Sequence, residues 1–224
     1  MYSNKKNYER ICDELKKANA QLVAVSKTKP VQAIRELYDL GHRDFGENYV
    51  QELTEKQPQL PQDIRWHFIG HLQTNKVKYI APFVHLIHGI DSLKLLKEVN
   101  KQAIKNNRTI SVLLQVHIAQ EETKFGLDES ELDQLFYTGA TDELRQLSNI
   151  QIEGLMGMAS FSDNEDLVRS EFKKLKRLFD KYASLPLPNT KFTTLSMGMS
   201  GDYRLALAEG SNLVRIGSLL FGNR

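Results

Sequence analysis

The strongest constraint in this sequence is a repeated alternation of short apolar segments with longer helical patterns. Residues 22–25 form a continuous apolar run, which is typical of a parallel strand buried on both faces. Pro30, a residue favoured at helix starts, follows, and apolar residues then recur at helical spacing up to Gly41. The same pairing predicts eight strands, near residues 22–25, 44–48, 65–69, 85–90, 112–118, 152–158, 192–196 and 213–216.

The helical patterns between these strands are long enough for the crossovers that parallel strands require. The clearest two are Leu93, Leu96, Val99, Ala103 and Val168, Phe172, Leu175, Phe179, Tyr182. Eight alternations predict an α/β fold of the (β/α)8 barrel type, although a doubly wound open sheet shares the local pattern. The count of eight favours the closed barrel.

The two ends of the chain predict how the barrel is completed. Only seven residues follow Gly217, which leaves no length for an eighth crossover helix. An apolar stripe precedes the first strand and consists of Tyr8, Ile11, Leu15 and Ala18. We expect this N-terminal helix to close the gap left by the missing C-terminal helix. No Pro/Gly/Ser-rich linker divides the chain, so we expect residues 1–224 to form a single domain.

Composition excludes some partners and favours a compartment. The 30 basic and 28 acidic residues give a net charge of +2, which lacks the one-sided basic footprint of a nucleic-acid binder. The single cysteine, Cys12, fits a reducing compartment, and no apolar leader is present at the N-terminus. The apolar runs are far shorter than the roughly 20 residues of a membrane span. We therefore expect a cytoplasmic protein that binds neither nucleic acid nor a membrane.

Active sites in such barrels lie at the carboxyl ends of the strands, where Lys27 directly follows the first apolar run. Most lysines are solvated, and Lys27 can be read as an ordinary first residue of a loop. Alternatively, its side chain points into the barrel mouth. Burial there would disfavour the ammonium form and free the amine to attack a carbonyl, forming a Schiff base. Position alone leaves both readings open.

Glycine-rich segments follow the seventh and eighth strands, where barrels of this kind often hold a phosphate. Around Ser200, two glycines allow backbone N–H groups to approach an anion, and a helix predicted to begin near Asp202 points its positive end the same way. Gly217 and Ser218 can complete the cradle. Two ordinary glycine turns are the alternative.

Other motifs carry less weight. His67 and His71 are four residues apart, but a strand-to-loop transition separates them and no helical glutamate completes a zinc-peptidase pattern, so we predict no metal. The segment around Ser200 lacks the closing glycine of a serine nucleophile elbow. No Walker A loop and no GxGxxG is present in the sequence.

Taken together, the motifs resemble those of the pyridoxal phosphate homeostasis proteins, a family that binds pyridoxal 5'-phosphate (PLP). The resemblance covers nearly the whole chain through VAVSKTKP, FGENYVQE, WHFIGHLQTNK, TKFGL, GLMGMAS, LSMGMSGD and GSNLVRIGSLLFG, in the family's order. It implies a PLP-binding barrel similar to the N-terminal domain of alanine racemase, with a helix before the first strand.

The resemblance also assigns roles to individual residues. It implies that Lys27 forms a Schiff base with PLP and that Arg215 faces the pyridine nitrogen. The family's phosphate cradle matches Gly198, Met199, Ser200, Gly217 and Ser218. Asn48 and His71 match positions near the cofactor.

The family is understood as a carrier or buffer of PLP in vitamin B6 homeostasis, and not as an enzyme. Racemases of similar fold take a second acid/base from a tyrosine in an additional domain, which this chain lacks. We therefore expect a monomeric PLP carrier whose partners are apo PLP-dependent enzymes. Two alternatives remain: a racemase-like PLP enzyme that uses Tyr49, Tyr203 or water as its acid, and a cofactor-free barrel enzyme that acts on a phosphorylated metabolite through Lys27.

Overall fold

The predicted strands assemble into one closed barrel. The computed structural model describes residues 3–120, 125–137, 140–185, 187 and 189–222. Neighbouring strands are parallel throughout and follow chain order, so that the last strand pairs with the first. The strands are β1 Gln21–Val25, β2 Asp44–Glu47, β3 Arg65–Phe68, β4 Leu86–Ile90, β5 Ile110–Val116, β6 Ile150–Gly157, β7 Thr190–Ser196 and β8 Leu213–Ile216. The closed barrel is confirmed over the open sheet.

Helices connect the strands and cover the outside of the barrel. They are α1 Lys5–Lys17, α2 Val31–Asp39, α3 Val50–Lys56, α4 Val77–Ile80, α5 Leu93–Lys105, α6 Glu129–Tyr137, α7 Ala140–Arg145, α8 Glu165–Ala183, α9 Tyr203–Ala208 and α10 Ser218–Phe221. Their apolar faces form, with the outward-facing side chains of the strands, one continuous core. Among the residues described, no helix has both the length and the apolarity needed to cross a lipid bilayer.

The N-terminal helix takes the predicted place beside the barrel seam. Its stripe of Tyr8, Ile11 and Leu15 is buried, and Asn4 caps the helix by accepting a 3.0 Å hydrogen bond from the Asn7 N–H. Hydrogen bonds tie this helix and the residues just before it to α10 after β8, to α2 after β1 and to α9 before β8. Helix α1 therefore fills the gap between strands eight and one.

Two details of the prediction are corrected. The predicted strands at 112–118, 152–158 and 192–196 begin two residues too late. Ile110 pairs with Ile150 although a polar residue follows each of them, and Ile152 pairs with Thr190. Polar side chains are tolerated there, since the Ser111 hydroxyl donates to the Glu153 carboxylate on the neighbouring strand. A single helical turn, α10, follows β8, where no helix was expected.

The seam between α1 and α9 generates a prediction on acid stability. Glu14 accepts hydrogen bonds from Arg204 at 2.9 and 3.0 Å and from the Tyr203 hydroxyl at 2.7 Å. The bond from Arg204 is the largest influence that lowers the pKa of Glu14 to about 2. A carboxylate with a depressed pKa stabilises the fold above its unfolded pKa of about 4.3, and this stabilisation is lost as the pH falls towards 2.

We expect Glu14→Gln to remove that part of the pH dependence. Between pH 5 and pH 2 the unaltered protein should lose about 1 kcal/mol more unfolding free energy than the variant, a small value because the pair is partly solvated. Urea unfolding at several pH values measures it. Glu9→Gln, an exposed position on the same helix, is the control and should follow the unaltered protein. Identical pH slopes for Glu14→Gln and the unaltered protein would contradict the assignment.

Candidate functional site

A cavity of about 450 Å³ opens at the carboxyl ends of the strands, and we call it the Lys27 cavity. Seven of the nine predicted site residues line it: Lys27, Asn48, Met199, Ser200, Arg215, Gly217 and Ser218. Of the described residues that were predicted, Gly198 and His71 do not line it. The residues come from β8 and from the segments that follow β1, β2, β7 and β8, which meet only because the barrel closes.

Lys27 stands in a tight turn directly after β1. The Ser26 N–H continues the strand pairing to the Gly46 carbonyl at 3.0 Å, and the Lys29 N–H then returns to the Ser26 carbonyl at 3.0 Å. Between them Thr28 has a φ of 63°, an uncommon left-handed conformation for a residue with a branched side chain. The Thr28 N–H donates to the Glu52 carboxylate at 2.6 Å. The turn is thus fixed at both ends, and Lys27 is half-buried in it.

A buried charged network supports this turn. Lys56 Nζ donates to Glu47 Oε1 at 2.8 Å, to Glu52 Oε1 at 2.6 Å and to the Ser26 carbonyl at 2.9 Å. The Ser26 hydroxyl donates to the same Glu47 oxygen at 2.6 Å. Glu47 is fully buried, and desolvation raises its pKa despite the opposing charge of Lys56. Sequence reasoning missed this network, although Glu52 and Lys56 have the spacing of a helical ion pair.

The turns after β7 and β8 form the other side of the cavity. Gly198 has a φ of 95°, and a Cβ there would lie 2.6 Å from the Ala206 Cβ, so the turn requires glycine. Ser200 Oγ accepts a 3.3 Å hydrogen bond from the Gly217 N–H, which joins the two turns. The Met199 N–H donates to the Asp202 carboxylate at 2.6 Å and is therefore already paired. Both turns line the Lys27 cavity.

Arg215 forms the floor of the cavity. It is 4 % exposed and donates to the Ser196 carbonyl at 2.9 Å, to the Ser196 hydroxyl at 2.6 Å and to the Gly157 carbonyl at 3.1 Å. Desolvation lowers its pKa to about 10, so the guanidinium remains cationic at neutral pH. The Lys27 cavity therefore contains a buried positive charge held in one orientation by three hydrogen bonds.

Asn48 and His71 have different positions relative to this cavity. Asn48 lines it, and among the described residues its buried Oδ1 atom has no hydrogen-bond partner. His71 lies on the loop after β3, stacks on Phe125 with 4.2 Å between ring centroids, and places Nδ1 3.3 Å from Asp91. It lines an adjacent cavity of about 760 Å³, which Asn48 also borders. A direct role for His71 at Lys27 is not favoured by this placement.

The fold and the site define a barrel of the alanine racemase N-terminal domain type. The family model described as "Alanine racemase, N-terminal domain" matches residues 3–224. An alanine racemase from Bartonella henselae shares this fold, with a TM-score of 0.70 over 95 % of this chain and 56 % of its own, at 19 % identity.

More similar proteins narrow the family. The pyridoxal phosphate homeostasis protein of Aquifex aeolicus is 44 % identical over 210 residues, which is 92 % of this chain and 87 % of that protein. The protein of that name from Escherichia coli K12 is 38 % identical over 207 residues, 91 % of this chain and 85 % of the other. PipY of Synechococcus elongatus, with PLP bound, has a TM-score of 0.84 at 35 % identity over 96 % of this chain and 100 % of its own. The chain belongs to the family of pyridoxal phosphate homeostasis proteins, and the resemblance is confirmed.

The buried network below Lys27 leads to a prediction on stability. Lys56→Met leaves Glu47 buried without its cation, and breaking a buried pair in this way costs about 3–5 kcal/mol. We expect the second substitution Glu47→Gln, made in the Lys56→Met background, to restore much of the loss because no uncompensated charge then remains. Urea unfolding followed by the fluorescence of Trp66 measures both.

The control is Lys101→Met on α5, whose side chain is 63 % exposed and which should change the free energy of unfolding little. Glu47→Gln is also made alone. If its loss and the loss of Lys56→Met add up to the loss of the double variant, Glu47 and Lys56 do not depend on each other. That outcome would contradict the network.

Proposed function

We propose that this protein binds PLP in the Lys27 cavity and serves PLP homeostasis as a carrier. One observation carries the proposal: closure of the barrel places a strand-end lysine, a buried arginine and two joined glycine turns around one cavity. The names of the relatives and the PLP-bound structure of PipY support the same ligand. The dimensions agree as well, since about 450 Å³ lies in the range of small-molecule sites.

The residues of the cavity fit the three functional parts of this cofactor. Bound PLP supplies an aldehyde that condenses with amines and a ring that withdraws electrons from an attached amino acid. Lys27 would hold the aldehyde carbon through its amine nitrogen, with loss of water. Ser200 and the backbone around Gly217 would bind the phosphate, where added Cβ atoms would crowd the turns. The unpaired Asn48 Oδ1 supplies an acceptor at the cavity wall.

Arg215 favours a holding role over catalysis. In the proposed arrangement its guanidinium faces the ring nitrogen, and a fixed cation there disfavours protonation of that nitrogen. An unprotonated ring is a weaker electron sink for carbanion chemistry. Because the pKa of Arg215 is still about 10, the guanidinium keeps this charge at every pH at which the protein would work.

The tyrosines considered as acids are placed where they do not favour racemisation. The Tyr203 hydroxyl donates to Glu14 on α1, and burial raises the pKa of this phenol. Tyr49 is 56 % exposed and lines the adjacent His71 cavity. A general acid must lie within hydrogen-bond reach of its target atom. Neither phenol lines the Lys27 cavity, which supports a carrier.

The proposal extends to partners and location. The recipients would be apo forms of PLP-dependent enzymes in the cytoplasm, with a monomer formed by one domain, residues 1–224, as the carrier. The single cysteine and the net charge of +2 are compatible with these assignments. Direct transfer would appear as faster activation of an apo-enzyme by the loaded protein than by PLP released into buffer.

Binding of PLP through Lys27 is tested by absorbance. We expect the protein incubated with PLP to keep a visible absorption band through dialysis and Lys27→Ala to lose it, because the covalent attachment is removed. Lys94→Ala, an exposed lysine on α5, is the matched control and should keep the band. A colourless unaltered protein would overturn the proposed ligand, and a retained band in Lys27→Ala would move the attachment to another lysine.

The carrier assignment is tested by isotope exchange. The PLP-loaded protein is incubated with a panel of L-amino acids in deuterated water, and α-proton exchange is followed by NMR together with chiral analysis. We expect at most stoichiometric exchange, since neither tyrosine considered as an acid lines the Lys27 cavity. Multiple turnovers or accumulation of a D-isomer would make the protein an enzyme.

A further inference from the structure

The interior of the barrel contains a row of polar side chains that PLP binding does not explain. Arg215, Ser196, His88, His67 and Asp44 come from β8, β7, β4, β3 and β2. All but Asp44 are 4 % exposed or less. Filling a barrel core with two imidazoles is costly unless every polar atom is paired, whereas the usual filling is branched apolar side chains.

These side chains make an unbroken series of hydrogen bonds. Arg215 donates to Ser196 Oγ at 2.6 Å, and Ser196 Oγ lies 3.2 Å from His88 Nδ1. His88 Nε2 lies 2.9 Å from His67 Nδ1, and His67 Nε2 lies 3.1 Å from Asp44 Oδ1. Asp44 is the first residue of β2 and therefore lies at the amino-terminal mouth, opposite the Lys27 cavity. The series crosses the whole barrel.

The two ends, together with the protonation of the imidazoles between them, determine the direction of every bond. Burial by itself would raise the pKa of Asp44, but hydrogen bonds from Arg65 and His67 outweigh it and hold this pKa well below its usual range. Asp44 is therefore an acceptor only, and Arg215 is a donor only. Complete burial lowers the pKa of His88 well below its ordinary value, so that His88 is neutral.

A neutral imidazole has one donor and one acceptor, and a hydroxyl has one donor. If His67 is neutral as well as His88, a single arrangement satisfies all the bonds. His67 donates from Nε2 to Asp44, His88 donates from Nε2 to His67, and the Ser196 hydroxyl donates to His88. Every donor then points from Arg215 towards Asp44, and the bonds polarise one another in the same sense.

We propose that Asp44, His67, His88 and Ser196 are positioning residues that form a polarised hydrogen-bond chain, through which the carboxylate at the far mouth orients Arg215 in the Lys27 cavity. The carboxylate strengthens each acceptor in turn, and the last acceptor, Ser196 Oγ, fixes the guanidinium. The consequence for bound PLP rests on the proposed function, whereas the chain and its tautomers do not.

A metal site is the competing interpretation of the same mouth. Asp44, His67 and His85 offer ligand atoms that lie within 4.8 Å of one another. However, the Arg65 guanidinium already binds both oxygens of the Asp44 carboxylate. A cation there would meet this positive charge and would displace the proton that His67 donates. The pairing with Arg65 favours the hydrogen-bond chain.

The tautomers can be observed directly in the protein without PLP. Long-range ¹H–¹⁵N spectra of the ¹⁵N-labelled chain at neutral pH should show His67 and His88 as neutral Nε2–H imidazoles, assigned by His67→Gln and His88→Gln variants. An Nδ1–H tautomer of His88, or a doubly protonated His67, would overturn the chain. If one equivalent of Zn²⁺ shifts the ¹⁵N resonances of both His67 and His85, the mouth is a metal site, and this result would also overturn the hydrogen-bond chain.

Transmission along the chain is tested with Asp44→Asn, which keeps the shape and removes the charge. We expect a change in the ¹⁵N shifts of His88, which Asp44 does not contact, and roughly 2- to 30-fold weaker PLP retention with a shifted absorption maximum. The matched control is Asp63→Asn. Asp63 lies just before β3 and also pairs with an arginine, Arg43, but it is not part of the hydrogen-bond chain. It should leave both readouts unchanged.

If a folded Asp44→Asn variant shows unchanged His88 shifts and unchanged PLP retention, the hydrogen-bonded side chains only fill the barrel interior, and the proposal is overturned. If that variant does not fold, Ser196→Ala takes its place, with the shifts of His67 as the remote readout. Failure of the unaltered protein to bind PLP would overturn the proposed function alone, because the spectra of the protein without ligand still test the chain.

Discussion

The pairing of β8 with β1 is the interaction on which the rest of the molecule depends. Closure satisfies the backbone N–H and C=O groups that an open parallel sheet would leave at its edges. It also places the turn after β1, which carries Lys27, directly beside the turn after β8, which carries Gly217 and Ser218. In an open sheet of the same strand order these two turns would lie at opposite edges. The site is therefore a property of the closed topology rather than of any single loop.

Closure also creates an interior that must be filled, and this protein fills it in two ways. A small apolar cluster occupies part of it, formed by Val23, Leu86, Leu113, Met156 and Leu213. The polar chain from Asp44 to Arg215 occupies another part. A buried arginine in the floor of a ligand cavity requires acceptors beneath it, and Ser196 and the Gly157 carbonyl provide them. The charge placed in the cavity thus determines what can be packed below it.

The sequence predicted those features whose signal is local. Most strands show as short apolar runs and the long helices as 3.6-residue patterns, so eight alternations favoured the closed barrel. Lys27 was a candidate because of its strand-end position, whereas the role of Arg215 came from the family resemblance. The polar chain could not be predicted in the same way, because its link from His88 to Ser196 joins residues 108 positions apart, which become neighbours only inside the barrel. The placement of His71 also depends on the path of a loop, which periodicity does not specify. The Glu47–Lys56 pair joins a strand to a helix, and only its Glu52 branch had a recognisable spacing.

The joined turns of Ser200 and Gly217 have a consequence for the folding of the chain. Almost the whole length of the chain separates Lys27 from Gly217, so the two halves of the cavity meet only after the most distant strands have paired, which is the slowest kind of contact to form. A ligand that bridges both halves binds the closed barrel and has nothing equivalent to bind in an open one. Its free energy of binding is then added to the stability of the seam, and the population of closed molecules rises with ligand concentration. The amount of correctly folded protein in a cell would in this way rise with the concentration of its ligand.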